Sequence, residues 1–315
     1  MKKKILRVFF GFFGICGLLL AGLWGFFRLR CMQTWKKKDD THPQMVYDTA
    51  EGGIAYRSIG CGRPLLLVHS MMPGASSREW DAVAEALAEN YHVYAIDLPG
   101  FGNSYCPQKP WTAYQYANCL HDFIANVIGR SACICGANGG ADFALILSLL
   151  HPEDVSRLVL ISPEGIGRGF ATEEEVKPLR LLLAPIIGTQ KFLSGTSRKS
   201  MQQRLEHAYY APERVYAGLV QQYVDAARCG RYAQATFAGL QTRFYAADTT
   251  KAFTQLCLPF LMLWGEENRD NPCEYLEAAE KLKTYGSFVL FEKTAALPHM
   301  ENSRAFLDNV QEFLK

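Results

Sequence analysis

Four ionisable side chains in this 315-residue chain stand where acid–base chemistry could be done: His69, Glu164, Asp270 and His299. An imidazole oriented by a carboxylate is the pairing that activates a hydroxyl, a thiol or a water for attack on a carbonyl. Glu164 follows the apolar run 157–162, and His69 ends the run that starts at Pro64. Nothing in their spacing joins them into one set. The plainer reading is loop carboxylates and structural histidines. Cys133 and Cys135 share one face of a single strand, and a Cys-x-Cys pair without further ligands reads as core packing.

The elements that would position such groups are legible. Residues 64–68 form an apolar run that ends in His69-Ser70-Met71-Met72-Pro73-Gly74. A short apolar run bounded by turn signals suits a buried strand of a parallel sheet. An amphipathic stretch, 76–89, leads to a second strand that ends in Asp97-Leu-Pro-Gly-Phe-Gly102-Asn-Ser. A third strand runs into Gly136-Ala-Asn138-Gly-Gly140, followed by an apolar helix over 141–150. A fourth ends in Trp264-Gly265-Glu-Glu-Asn268, and a last one leads into Ala295-Ala296-Leu-Pro-His299-Met-Glu301.

In this order and spacing the motifs resemble those of the α/β-hydrolase superfamily, in its lidded serine-hydrolase-like branch. The resemblance implies a mostly parallel sheet flanked by helices, with an inserted helical lid. Gly136 and Gly140 match the nucleophile elbow Gly-x-Ser-x-Gly, a strained strand-to-helix turn. By the same resemblance the backbone amides of Met71 and Gly139 are the oxyanion donors, and Ser70 stands where Gly is usual.

The resemblance also implies a triad, and all three of its positions are substituted. Asn138 occupies the nucleophile position, Asn268 the acid position and Ala296 the base position. A carboxamide is not a nucleophile that a base can activate, and an alanine carries no base. Loss of nucleophile or base in a triad costs about a million-fold in turnover, leaving roughly a thousand-fold over water. His69, Ser70, Glu164 and His299 remain as pocket candidates. The expectation is a pseudo-hydrolase that binds a small apolar ligand or a protein partner. A hydrolase of ester-type substrates with a rewired site is the alternative, and a membrane-tethered scaffold a third reading. Asn138-Gly139 is also a deamidation sequence, and some superfamily members, the haloalkane dehalogenases and epoxide hydrolases, use an aspartate there. A rigid elbow is expected to leave Asn138 intact.

Length and charge bound the rest. A formal net charge of +2 gives no reason to expect nucleic acid. Without a Gly-x-Gly-x-x-Gly, Walker or His-Glu-x-x-His motif, no cofactor or metal is expected. Residues 8–27 form an uncharged apolar run, about the 20 residues that a bilayer needs, between Lys2, Lys3, Lys4 and Arg7 on one side and Arg28, Arg30 and Lys36–Lys38 on the other. The expected organisation is a membrane anchor over 1–34, a linker over 35–44 and a hydrolase-fold domain over 45–315, its lid at about 166–255. Single-pass placement in the cell membrane follows. The short basic tail resists translocation, which puts the domain outside; the ten cysteines without a disulfide framework argue the other way. Helical patterns are expected at 173–183, 197–210 and 212–228. The lid tyrosines 209, 210, 216, 223, 232 and 245 suit either a pocket or packing.

Overall fold

A computed structural model describes residues 17–27, 29, 30, 32, 44–228, 230–283 and 285–315. Eight strands form one sheet: β1 (Met45–Asp48), β2 (Gly53–Ile59), β3 (Arg63–Val68), β4 (Tyr91–Ile96), β5 (Ala132–Ala137), β6 (Val155–Ile161), β7 (Phe260–Gly265) and β8 (Ser287–Phe291). Their spatial order is β1-β2-β4-β3-β5-β6-β7-β8. β1 pairs with β2, and β2 with β4, antiparallel; every other pairing is parallel.

The strands are apolar on both faces because both faces are covered. Leu66 and Val68 of β3 point into one core with the helices Ala113–Phe123 and Gly139–Leu150. Leu65 and Leu67 point into the other, with Trp80, Leu87 and the helix Ser303–Leu314. Side chains alternate across a strand, so consecutive leucines serve opposite layers. Cys133 and Cys135 lie in the second core, and burial pushes the Cys133 thiol up to about 12. They are packing groups.

The chain adds β4 on one side of β3 and β5 on the other. Open α/β sheets bind ligands at the carboxyl edge where the order reverses in this way. The region between β6 and β7 covers that edge with helices, among them Ile187–Gly195, Arg198–Ala208, Ala217–Ala226 and Ala233–Gln241. The pattern expected at 173–183 is two short helices, Glu173–Val176 and Leu179–Leu183, interrupted at Pro178, which has no N–H to continue the ladder. Residues 212–214 form a 3-10 turn and the helix proper is Ala217–Ala226. The stretch at 76–89 is likewise split, into a 3-10 helix, Ser77–Trp80, and a short helix, Ala84–Ala88.

Residues 17–27 are helical and expose Leu18, Leu19, Leu20, Leu23 and Phe26. Among the described residues no helix is long and apolar enough to cross a membrane. The expected span at 8–27 begins outside the described residues, where Cys31 and Lys36–Lys38 also lie.

Candidate functional site

Asn138 sits at the turn from β5 into the helix Gly139–Leu150, with φ 50° and ψ −119°. A side chain at positive φ is costly and persists only where the surroundings over-determine it. Here two glycines do so. A Cβ on Gly136 would lie 2.6 Å from the Gly140 carbonyl oxygen, and one on Gly140 would lie 2.5 Å from that of His69. The Asn138 N–H is held by the Ile161 carbonyl at 2.8 Å. Its Oδ1 is buried without a hydrogen-bond partner.

Asn268 follows β7 and is buried. Its Oδ1 accepts the Asn271 N–H at 3.1 Å, closing its own loop. Asn271 in turn donates to the carbonyls of Ser162 and Pro163, both at 3.0 Å, tying that loop to the end of β6. Ala296 follows β8. Its N–H bonds to the Ala208 carbonyl, and it belongs to the same apolar cluster as the lid residues Leu205, Tyr209 and Val220. The buried Glu301 carboxylate accepts from the N–H groups of Ala295, Leu297 and Tyr210 and so fixes this loop.

Asn138, Asn268 and Ala296 line one cleft of about 770 Å³ under the lid, together with Ser70, Met71, Glu164 and Asp270. His69 and His299 do not line it. His69 accepts the Leu98 N–H on Nε2 at 3.1 Å, so Nδ1 carries the proton, which goes to the Ser70 carbonyl at 2.8 Å. That ring joins the ends of β3 and β4 and has no free base. His299 is fully buried, stacks on Trp80 at 4.3 Å and leaves both ring nitrogens without a hydrogen bond, the Glu79 carboxylate standing 3.9 Å from Nε2. Burial lowers its pKa to about 3. Ser70 has its hydroxyl and N–H on the Glu79 carboxylate, at 2.7 and 2.9 Å.

The cleft is lined largely by polar side chains, and of the two readings of the lid tyrosines packing accounts for more of them. Tyr245 lines the cleft, and Tyr209 and Tyr223 are core groups. The cause of the polar lining is the amphipathic helix Arg198–Ala208. It buries Met201 and Leu205 and turns Ser200, Gln203, Arg204 and His207 toward the cleft. Arg168 and Arg243 add positive charge, with Glu175 3.6 and 3.3 Å from them. The Nε atoms of Arg204 and Arg243 are buried without partners. Glu164 accepts the Tyr245 hydroxyl at 3.0 Å. Burial raises its pKa, opposed by that bond and by Arg243 and Arg168. His207 Nε2 lies 3.1 Å from Asp270 Oδ1, both well exposed.

Sequence reasoning passed over Glu79, Arg204, His207 and Arg243. The lid residues among them belong to no motif and reach the cleft only through the lid's fold. Outside the cleft, His121, His151 and Asp154 have ligand atoms within 4.8 Å of one another. Their imidazoles stack 3.7 Å apart at 15°. His121 Nδ1 lies 2.6 Å from Asp154 Oδ2, within hydrogen-bond distance.

Residues 65–309 match the Alpha/beta hydrolase family. The chain belongs to this family. It is 25% identical over 274 residues to the pimeloyl-[acyl-carrier protein] methyl ester esterase of Vibrio cholerae, covering 81% of this chain and 95% of that protein. It is 23% identical over 287 residues to an uncharacterized protein of Mycobacterium tuberculosis, covering 88% and 83%. Among solved structures it resembles a serine hydrolase involved in carbazole degradation, with TM-score 0.71 and 19% identity, covering 86% of this chain and 98% of that one. It also resembles a membrane phospholipase A, with TM-score 0.70 and 24% identity, covering 100% and 98%. The shared feature is the α/β-hydrolase fold.

Proposed function

We propose that this chain is a membrane-anchored α/β-hydrolase-fold protein that binds a small polar ligand in its cleft without turning it over by the family's Ser-His-Asp route. One observation carries the reading: the residue at the elbow is Asn138, and the strand-end loops facing it offer Asn268 and Ala296. None of the three can supply a nucleophile or a base. The guanidinium-bearing side chains that line the cleft, Arg168, Arg204 and Arg243, favour a ligand with oxygen acceptors, because hydrogen bonds from a charged donor are the stronger ones. The anchor reading rests on the apolar run at 8–27 and its basic flanks.

The test is a panel of esters and carboxylates offered to the purified chain. The reading expects turnover near background, with some members raising the melting temperature through preferential binding to the folded state. Efficient ester turnover would overturn it. Carbonate extraction of membranes checks the anchor, since release of the chain into the wash would exclude a spanning helix.

A second reading has its own support. His207 and Asp270 make an imidazole–carboxylate pair at the cleft, able to take a proton from water instead of from a serine. In that case hydrolysis is measurable, and His207→Asn abolishes it while leaving the melting temperature unchanged.

A further inference from the structure

Asn138-Gly139 is the one Asn-Gly pair in the sequence, and the fold holds it in a particular torsion. Succinimide formation joins the Gly139 nitrogen to Asn138 Cγ in a five-membered ring. Such a ring needs Cβ and the Gly139 nitrogen on the same side of the Cα–C bond. Tetrahedral geometry and L chirality offset Cβ from the residue's own nitrogen by about 120° around that bond. The observed ψ of −119° therefore brings Cβ almost into eclipse with the Gly139 nitrogen. Unfolded chains seldom visit this torsion at a residue other than glycine. The elbow adopts it in the fold, where Gly136 and Gly140 let the turn close against neighbouring backbone.

We propose that Asn138 is a self-modification site, converted through a succinimide to an aspartyl or isoaspartyl carboxylate. The expectation of an intact Asn138 assumed that ring closure requires the Gly139 amide to swing inward. At this ψ no swing is required. Gly139 is also fixed as glycine, since a Cβ there would lie 2.6 Å from Met71 Cγ and 3.0 Å from Tyr245 Cε2. The attacking nitrogen thus has no side chain beside it. Its N–H is a first-turn donor without an intrahelical acceptor, and the positive end of the helix favours its loss of a proton. Asn138 Oδ1 has no partner that would pin the carboxamide away from attack. The residue lines the cleft, which lets hydroxide and water reach it.

The chemistry balances without a co-reactant other than water. Hydroxide takes the Gly139 amide proton, and the nitrogen adds to Cγ. The tetrahedral adduct collapses as the Cγ–Nδ2 bond breaks, and protonated Nδ2 leaves as ammonia. Water then opens the imide at either carbonyl, giving aspartate or isoaspartate and placing one negative charge at the base of the cleft.

The full-length chain in detergent is incubated at mildly alkaline pH, folded or unfolded in urea, and the peptide bearing residue 138 is followed by mass. The folded chain is expected to gain about one dalton at this peptide, after an intermediate about seventeen daltons lighter than the parent. The preset torsion predicts conversion roughly ten-fold faster folded than in urea. Hydroxylamine added to the folded chain should cleave between residues 138 and 139 by trapping the imide. Slower conversion when folded, or no hydroxylamine fragments, overturns the proposal. Neither readout depends on what the cleft binds.

Discussion

The hydroxyl of Tyr223 donates to the Glu79 carboxylate at 2.9 Å, with both residues buried. Tyr223 belongs to the lid helix Ala217–Ala226, whereas Glu79 belongs to the 3-10 turn after β3. The same carboxylate takes the N–H and hydroxyl of Ser70. One buried acid therefore ties the lid to the loop that follows β3. Tyr223→Phe keeps the ring and removes this bond, at an expected cost of roughly 1–3 kcal/mol. Urea unfolding measures the loss. A variant as stable as the parent would mean that this bond does not hold the lid to the core.

The elbow makes a sharper steric prediction. Gly140→Ala places a methyl 2.5 Å from the His69 carbonyl oxygen and 2.9 Å from that of Val68. Both obstacles are backbone and cannot rotate away. The expected loss is at least about 2 kcal/mol, seen as a melting temperature several degrees lower or as insoluble expression. Gly129→Ala is the control for glycine chemistry as such. Gly129 has a positive φ of 73°, which Gly140 does not share, and open space around it, so strain without a clash should cost less.

The sheet and its edge were legible because their signals are local. Apolar runs between Gly and Pro turns mark β3, β4, β5 and β7, and each motif sits at its strand's carboxyl end. Gly136 and Gly140 announced the elbow for a steric reason that the φ of Asn138 now makes explicit. The lid was not legible in this way. Its helices are short, and which face of Arg198–Ala208 meets the cleft depends on contacts remote in sequence. Arg204 and His207 look like ordinary surface residues in the sequence for that reason. His69 and His299 misled in the opposite sense. Both are attractive bases by type, yet one is committed to two backbone groups and the other is sealed against Trp80.

His299 should govern acid stability. Its pKa falls from 6.5 to about 3 on burial, so the unfolded chain binds the extra proton between those limits. Stability is complete above about 6.5 and declines as pH falls toward about 3, by a few kcal/mol in all. His299→Leu removes the term. Because neither ring nitrogen makes a hydrogen bond and Glu79 is no nearer than 3.9 Å, an apolar replacement should cost little at neutral pH. Melting curves from about pH 7 down to pH 4 should be flatter for the variant. A parent and variant with parallel pH profiles would show that His299 is not buried neutral.

Restoring the triad tests whether the three strand-end positions form one catalytic set. Asn138→Ser puts a hydroxyl at the strained turn, and Ala296→His puts an imidazole on the loop pinned by Glu301. Asn268→Asp keeps the oxygen that accepts the Asn271 N–H while adding charge. The introduced imidazole needs room beside Ala208 and Leu297, on the side where Ala296 opens to the cleft. Triad members act as a unit, so each single change should leave ester turnover at background. The triple variant should exceed the parent by at least about 100-fold on activated esters, a small part of what a complete triad supplies. Each reversion from the triple should then cost nearly the whole gain. A folded triple variant, with an unchanged melting temperature and no gain, would show that these positions do not converge on one reacting atom. The assignment of Asn138, Asn268 and Ala296 as vanished catalytic groups would then fail.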